Sequence, residues 1–290
     1  MSIEYKFLSE KYIPEIRKAW HKAFANYHVD MSYLTIERMI SRARMDRVDY
    51  NFSVGAFHNN EMCGFTINGI DKINNVLSAF DAGTGVIPEY RGKGIAGAMF
   101  DFVVPKLKIE GVQNFILEVI QENQAAINTY KKTGFSISRD FNCYKLNTNS
   151  FTNKIENLSD VIIKSIEKKD IENCLDFIEW DISWEYNIDA IKNIQEELIM
   201  DGAFVDGICV GFIVYYPTLE WIFILAVKEE FKHKNIDGLL LTQLINKVKS
   251  KVPLIKFNNI LSDHEMCSTL EKYGFEIYTT QHEMVYSLNN

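Results

Sequence analysis

The stretch Val86-Ile87-Pro88-Glu89-Tyr90-Arg91-Gly92-Lys93-Gly94-Ile95-Ala96 decides the fold. A mostly apolar run comes shortly before it, and apolar residues recur after it at helical steps of three and four. The segment therefore predicts a strand, a glycine loop and a helix whose first backbone N–H groups can bind an anion. Gly92 and Gly94 allow a ligand to approach the backbone closely, and Arg91 and Lys93 add positive charge. This pattern indicates a site for a phosphate or a pyrophosphate.

Two common nucleotide-binding motifs do not fit this loop. The Walker pattern needs a Ser or Thr after Gly92-Lys93, where this chain has Gly94, and the dinucleotide fingerprint has no place for Pro88-Glu89-Tyr90 between strand and glycines. The pattern Arg-x-x-Gly-x-Ala fits better, and the whole stretch reads Val-x-Pro-x-x-Arg-Gly-x-Gly-Ile-Ala. In these residues the sequence resembles the GNAT superfamily of acetyl-CoA-dependent N-acetyltransferases.

A second motif resembles the same family and covers Leu117-Glu118-Val119, Asn123, Ala126, Tyr130 and Gly134-Phe135. Asn123 and Tyr130 are seven residues apart, so on a helix they differ by about 20° and lie roughly 10 Å apart along its axis. The resemblance implies that Asn123 hydrogen-bonds an amide of the pantetheine arm. It also implies that Tyr130 is the general acid that protonates the leaving thiolate. Taken alone, a helix N-cap and a half-buried core tyrosine would explain these two residues.

The acceptor amine must be neutral to attack, and a free alkylamine has a pKa near 10, so a base or a water relay is useful. The resemblance implies a carboxylate on the strand before the loop, where Asp81 lies about one residue from the expected position. Strand alternation puts Asp81 on the face opposite Thr84, unless Gly83 and Gly85 allow a β-bulge. A purely structural role for Asp81 is equally compatible with the sequence, and Glu118 and water are the other candidate bases.

The remaining site assignments follow from the resemblance. Backbone N–H groups between Thr84 and Val86 are expected to polarise the thioester carbonyl, as an oxyanion hole does. Aromatic and histidine residues of the first two helices are expected to contact the acceptor; they are His21, Phe24, Tyr27, His28 and Tyr33. The expected coenzyme contacts are Thr84, Val86, Ile87, Arg91, Gly92, Lys93, Gly94, Ile95, Ala96 and Asn123.

The periodicity of the first half predicts the order β-α-α-β-β-β-α-β-α-β-β. The predicted strands cover 3–8, 52–57, 62–70, 77–86 and 112–120, with two closing strands in 135–146, and the predicted helices cover 14–27, 33–46, 95–110 and 123–132. A polar, Asn- and Ser-rich stretch at 147–159 is predicted to be a linker.

The second half repeats the first weakly. Val227–Asp237 aligns with Val86–Ala96 without a gap, and Lys272-x-Gly274-Phe275 aligns with Lys132-x-Gly134-Phe135. We therefore predict an α/β fold with α+β mixed sheets, arranged as two tandem GNAT-like domains. Residues 1–146 form the catalytic domain, 147–159 the linker and 160–290 a degenerate copy.

The second copy has lost the residues that the chemistry needs. A carboxylate in the first helical turn, Asp237, would repel a pyrophosphate, and Leu270 stands where Tyr130 would be the acid. The sequence therefore predicts one coenzyme site per chain, in the first half. The other replacements are Lys232 for Arg91, His233 for Gly92 and Asn235 for Gly94.

Composition limits the classes of function. The 290 residues carry a net charge of −8, which argues against general nucleic-acid binding. The five cysteines are scattered without a C-x-x-C pair, so we expect reduced thiols and no metal site. No apolar run approaches a membrane span, and the first ten residues carry charges where a secretory signal would be apolar. We expect a cytoplasmic protein without a membrane partner.

The predicted function is N-acetyltransfer from acetyl-CoA, as a co-substrate, directly to a primary amine of a small molecule or a peptide. A non-catalytic acyl-CoA-binding sensor or regulatory protein is the alternative. The sequence leaves the acceptor open, and it is compatible with a monomer or a homodimer.

Overall fold

The computed structural model describes residues 2–151 and 160–289. Contacts divide the chain into two compact units, Met1–Asp140 with Gln281–Asn290, and Phe141–Thr280. This division differs from the predicted domain boundaries, because the last ten residues lie in the first unit. Of the predicted linker, residues 152–159 lie outside the described residues.

Elements of the first unit follow the predicted order as far as its last strand. That region was predicted to hold two strands, and this prediction is wrong. It forms the single strand β6, because the segment contains no glycine, proline or turn pair that would reverse the chain. In chain order the elements are β1 (Glu4–Phe7), α1 (Ile13–Ala23), α2 (Ile36–Met45), β2 (Val54–His58), β3 (Glu61–Ile73), β4 (Val76–Val86), α3 (Ile95–Ile109), β5 (Asn114–Ile120), α4 (Gln124–Thr133) and β6 (Ser136–Asn147).

Strand β6 enters the second unit at Phe141, and the last strand of the chain returns to the first unit at Gln281. The elements after β6 are β7 (Ile162–Ser165), α5 (Lys168–Glu172), α6 (Ile188–Ile194), β8 (Ile199–Val205), β9 (Ile208–Tyr216), β10 (Trp221–Val227), α7 (Ile236–Val248), β11 (Leu254–Leu261), α8 (Met266–Lys272) and β12 (Glu276–Ser287).

The strands of the first unit are ordered β1-β2-β3-β4-β5-β12. Neighbours are antiparallel except for β4 and β5, which are parallel. Asn59-Asn60, which was predicted to form a hairpin turn, joins β2 to β3 with both residues at positive φ, as type I′ turns require. Asn74-Asn75 forms the same kind of turn between β3 and β4, and this turn was not predicted.

The strands of the second unit are ordered β7-β8-β9-β10-β11-β6. This order matches that of the first unit strand for strand, including a parallel pair, β10 and β11, at the fourth and fifth places. The internal repeat predicted from the sequence is therefore present in the topology. In both units the core lies between the sheet and its helices.

Candidate functional site

An opening in the sheet lies between β4 and β5. The two strands pair over four residues, and the last pair is Asp81 with Leu117. Beyond this point β4 continues to Val86 and β5 to Ile120 without pairing to each other. The two strands therefore leave unpaired edges that face each other, and an extended ligand can use their backbone groups.

A β-bulge in β4 places Asp81 at this opening. The pairing with β3 shifts between Gly83 and Asp81, which leaves Ala82 as the extra residue. The carboxylate of Asp81 accepts hydrogen bonds from the Thr84 hydroxyl at 2.8 Å and from the Gly83 N–H at 3.0 Å. Regular alternation would have separated Asp81 from Thr84, and the bulge that the glycines allowed brings them together.

A cleft of about 760 Å³ extends from this opening along α3 and α4. Three of the predicted site residues do not line it. They are Asp81, which is buried beside Thr84, and Ile87 and Lys93, which line a second cavity next to α1. The predicted residues that do line the cleft are Thr84, Val86, Arg91, Gly92, Gly94, Ile95, Ala96, Asn123 and Tyr130.

The glycine loop has the backbone geometry that was expected. Gly92 and Gly94 have φ values of +73° and +75°, and no atom lies within 4 Å of the position that a Cβ would take at either residue. Gly94 is the N-cap of α3 and has no side chain, so the first N–H groups of the helix are not capped by it. The Arg91 guanidinium donates hydrogen bonds to the carbonyl oxygen of Val86, at the end of β4, at 3.1 Å and to that of Ala23, at the end of α1, at 2.5 Å.

The side chain of Asn123 makes two hydrogen bonds, one of which caps α4. Its side-chain oxygen accepts a hydrogen bond from the N–H of Ala126 at 3.2 Å, so it caps α4. Its side-chain amide donates to the hydroxyl of Tyr27 at 3.5 Å, at the wall of the cleft. Of the residues expected to contact the acceptor, Phe24, Tyr27 and His28 line the cleft; His21 and Tyr33 do not.

The pKa values of three side chains at the opening, Asp81, Tyr130 and Tyr27, are raised. Burial raises the pKa of Asp81 to about 6, although the hydrogen bonds from Thr84 and Gly83 oppose this shift. Burial, and then the charge of Asp81, raise the pKa of Tyr130 well above its ordinary value. Burial and Asp81 likewise raise the pKa of Tyr27. Tyr130 is protonated at neutral pH, as an unperturbed tyrosine would be, and the raised pKa makes its hydroxyl a weaker acid.

Sequence reasoning missed a group of residues on the helices that flank the cleft. Thr129 and Thr133 lie on α4 at helical spacing from Ala126, so they share its face with Tyr130. This spacing could have identified them. Asp101 on α3 and Lys132 on α4 also line the cleft.

In the second unit, carboxylates surround the lysine that replaces Arg91. The ammonium of Lys232 lies 2.6 Å from Glu179, 2.6 Å from Glu265 and 2.8 Å from Glu229. Asn235, in the place of Gly94, has a φ of +52° and accepts a hydrogen bond from Lys272. The positive charge of this loop is thus engaged by acidic side chains of the same unit.

Polar side chains also fill the place where β10 and β11 part. The amide of Asn258 donates to the Tyr186 hydroxyl at 2.9 Å, and the Tyr278 hydroxyl donates to the side-chain oxygen of Asn258 at 2.8 Å. Next to them, the amide of Asn259 donates to the Ser183 hydroxyl at 2.9 Å. Both asparagines are buried, so this region of the second unit is filled by its own hydrogen-bonded network.

Two further properties concern residues 2–151 and 160–289 alone. No helix in these ranges combines the length and the apolarity that crossing a bilayer requires. The same ranges contain no group of three His, Cys, Asp or Glu side chains placed to hold a metal ion.

Comparison with known proteins supports the fold and the family of the first unit. Residues 13–135 match the model of the acetyltransferase (GNAT) family. The chain is also similar to N-alpha-acetyltransferase 30 from Schizosaccharomyces pombe, with 31% identity over 97 residues. This match covers 33% of the chain and 65% of the length of that curated relative.

Solved structures share the fold over nearly the whole chain. A tandem GNAT protein from the clavulanic acid biosynthesis pathway aligns with a TM-score of 0.78 at 12% identity, covering 100% of this chain and 99% of that one. A GCN5-related N-acetyltransferase from Sphaerobacter thermophilus aligns with a TM-score of 0.75 at 13% identity, covering 99% and 96%. The predicted fold class and the resemblance to the family are confirmed.

Proposed function

Because residues 13–135 match the model of the acetyltransferase (GNAT) family, we propose that the first unit is an acetyltransferase of this family and that it transfers the acetyl group of acetyl-CoA directly to a primary amine. One observation carries this proposal. The opening beside Asp81 and Thr84 continues into the same cleft as the uncapped start of α3 and Tyr130. A single extended thioester ligand can therefore reach both an anion-binding helix start and a proton donor.

Binding of the donor uses the loop and the two strand edges. The N–H groups of the first turn of α3, with Gly92 and Gly94, bind the pyrophosphate, since a helix start favours negative charge. Arg91 adds positive charge at this loop. The pantetheine arm enters the opening between β4 and β5, where the amide of Asn123 and the free backbone groups of β4 accept and donate its hydrogen bonds.

The reaction requires two proton movements. The neutral amine attacks the carbonyl carbon of the thioester, and backbone N–H groups between Thr84 and Val86 stabilise the oxygen that becomes negative. The C–S bond then breaks, the amide product forms, and Tyr130 gives its proton to the leaving thiolate. The amine loses one proton to Asp81, through water, and no covalent enzyme intermediate is formed.

The second unit, in this proposal, binds no coenzyme. Lys232 is already engaged by three carboxylates, and Leu270, at the position of Tyr130, is fully buried and has no proton to give. Its role is structural or in shaping the acceptor site, so each chain has one active site. We place the activity in the cytoplasm.

An amine panel tests this function. The purified chain is mixed with acetyl-CoA, and free thiol is followed with peptide α-amines, amino acids, polyamines and aminoglycosides. Peptides come first because the curated relative is an N-alpha-acetyltransferase. We expect at least one amine to raise thiol release well above the rate of thioester hydrolysis, with the acetylated amine detected by mass spectrometry. Binding of acetyl-CoA without thiol release for any amine class would favour a sensor instead.

A further inference from the structure

The end of the chain supplies the strand that supports the diverging part of β5. Residues 281–287 of β12 pair with the whole length of β5, from Gln281 opposite Ile120 to Ser287 opposite Asn114. β4 pairs with β5 only as far as Leu117. On the side of the cleft, residues 118–120 of β5 have no strand neighbour, so β12 provides their only ladder within the described part of the first unit.

β12 also contacts the segments on either side of α4, the helix that begins after Asn123 and carries Tyr130. Between β5 and the helix, the side-chain amide of Gln121 donates to the carbonyl oxygen of Gln281 at 3.2 Å. At its end, the ring of Tyr286 lies 3.0 Å from the position that a Cβ on Gly134 would take. The same ring packs on Phe135, with 5.6 Å between centroids.

Several contacts fix β12 itself. The carboxylate of Glu283 accepts hydrogen bonds from Arg139 at 2.9 and 2.7 Å and from the Ser138 hydroxyl at 2.8 Å. The side chain of Met284 is fully buried in the core, and the N–H of Leu288 donates to the carbonyl oxygen of Gln113 at 2.7 Å. An Arg–carboxylate pair with two parallel bonds is among the stronger polar contacts in proteins, so these contacts hold β12 in place.

We propose that the terminal strand, residues 281–287, positions α4 and thereby sets the affinity of the cleft for acetyl-CoA, with Tyr286 as a positioning residue. α4 is short, and its N-cap Asn123 and its Tyr130 both line the cleft, so a shift of the helix moves both groups together. A displacement of this kind far from the chemistry can cost orders of magnitude in rate or binding. This inference rests on the proposed function of the first unit.

Paired substitutions at Tyr286 in the full chain test it. Tyr286→Ala removes the ring, whereas Tyr286→Phe keeps the ring and is the matched control. We expect Tyr286→Ala to raise the Kd for acetyl-CoA about tenfold or more and to speed hydrogen exchange of the α4 amides. Tyr286→Phe should match the wild type in both measurements. An unchanged Kd with unchanged exchange in Tyr286→Ala would overturn the inference.

The readouts separate this inference from general damage and from the proposed function. Irreversibly misfolded protein lowers the number of binding sites in a titration but leaves the Kd of the remaining sites unchanged, and that result would contradict a positioning role. A reversible unfolding equilibrium raises the apparent Kd only by the reciprocal of the folded fraction, so a tenfold rise in a variant that circular dichroism shows to be folded is a positioning effect. If the wild type binds no acetyl-CoA, the proposed function fails. Hydrogen exchange then still decides whether β12 holds α4, because it needs no ligand.

Discussion

The hydroxyl of Thr84 donates a 2.8 Å hydrogen bond to the carboxylate of Asp81, three residues earlier on the same strand. In a regular strand, residues three apart point to opposite faces of the sheet. The extra residue Ala82 reverses the alternation. The bulge lies where the parallel pairing of β4 with β5 ends, so one local irregularity both buries a carboxylate and accompanies the opening of the cleft.

Asp81→Asn tests the ionisation of this carboxylate. Its folded-state pKa of about 6 lies above the ordinary value of 3.8, so the stability that its protonated form contributes is present below about pH 4 and lost as the pH rises through about 6. Relative to Asp81→Asn, the wild type should lose roughly 2–3 kcal/mol of unfolding free energy between pH 4 and pH 7, at about 1.4 kcal/mol per unit. Denaturant titrations at several pH values measure this difference.

The same variant tests whether Asp81 takes up the proton of the amine. The wild-type kcat/KM should rise with pH through about 6 as the carboxylate ionises, and Asp81→Asn should lose this rise. Parallel pH profiles in the two proteins would exclude Asp81 as the base and leave Glu118 or water in that role.

Tyr130→Phe tests the proton donor. The change removes the hydroxyl and keeps the ring, which packs on Phe100 and Phe135 at centroid distances of 5.7 and 5.8 Å. We expect kcat to fall by about 10²- to 10⁴-fold, the range typical of a general acid. The Kd for acetyl-CoA should stay within about twofold, because the hydroxyl acts only as the thiolate leaves. A variant with wild-type kcat would show that the thiolate is protonated by another group.

Gly94→Ala tests the loop, and Gly111→Ala is its control. Both glycines have positive φ, +75° and +79°, and an added Cβ would meet no atom within 4 Å at either position. Each substitution should therefore cost a similar amount of stability, about 1–2 kcal/mol, through backbone strain. Only Gly94 lines the cleft, so only Gly94→Ala should weaken acetyl-CoA binding. Equal losses of affinity in both variants would point to general destabilisation.

Most of the first unit could be predicted because its signals are local. The glycines of the loop, the N-cap at Asn123 and the turn at Asn59-Asn60 each act within a few residues, and the structure has all three where they were predicted. The position of Asp81 could not be decided in this way. It depends on a bulge whose register is set by pairing with β3, so strand alternation alone gave the opposite face.

The pairing of β12 with β5 could not be predicted from periodicity. The sequence of β12 does not alternate polar and apolar residues, and nothing local in Gln281–Ser287 selects β5 as its neighbour. That choice follows from long-range contacts, such as Glu283 with Arg139 and the burial of Met284. The predicted domain boundaries follow the sequence repeat and therefore leave this segment with the second copy.

The most direct test of the account is a calorimetric titration of the chain with acetyl-CoA, together with Arg91→Ala and Lys232→Ala. These lysine and arginine positions correspond in the two units, but Lys232 is held by carboxylates, whereas Arg91 lines the cleft. We predict one site per chain in the wild type, a strong loss of affinity in Arg91→Ala and no change in Lys232→Ala. Two sites per chain, or a loss of binding in Lys232→Ala that Arg91→Ala does not share, would contradict it.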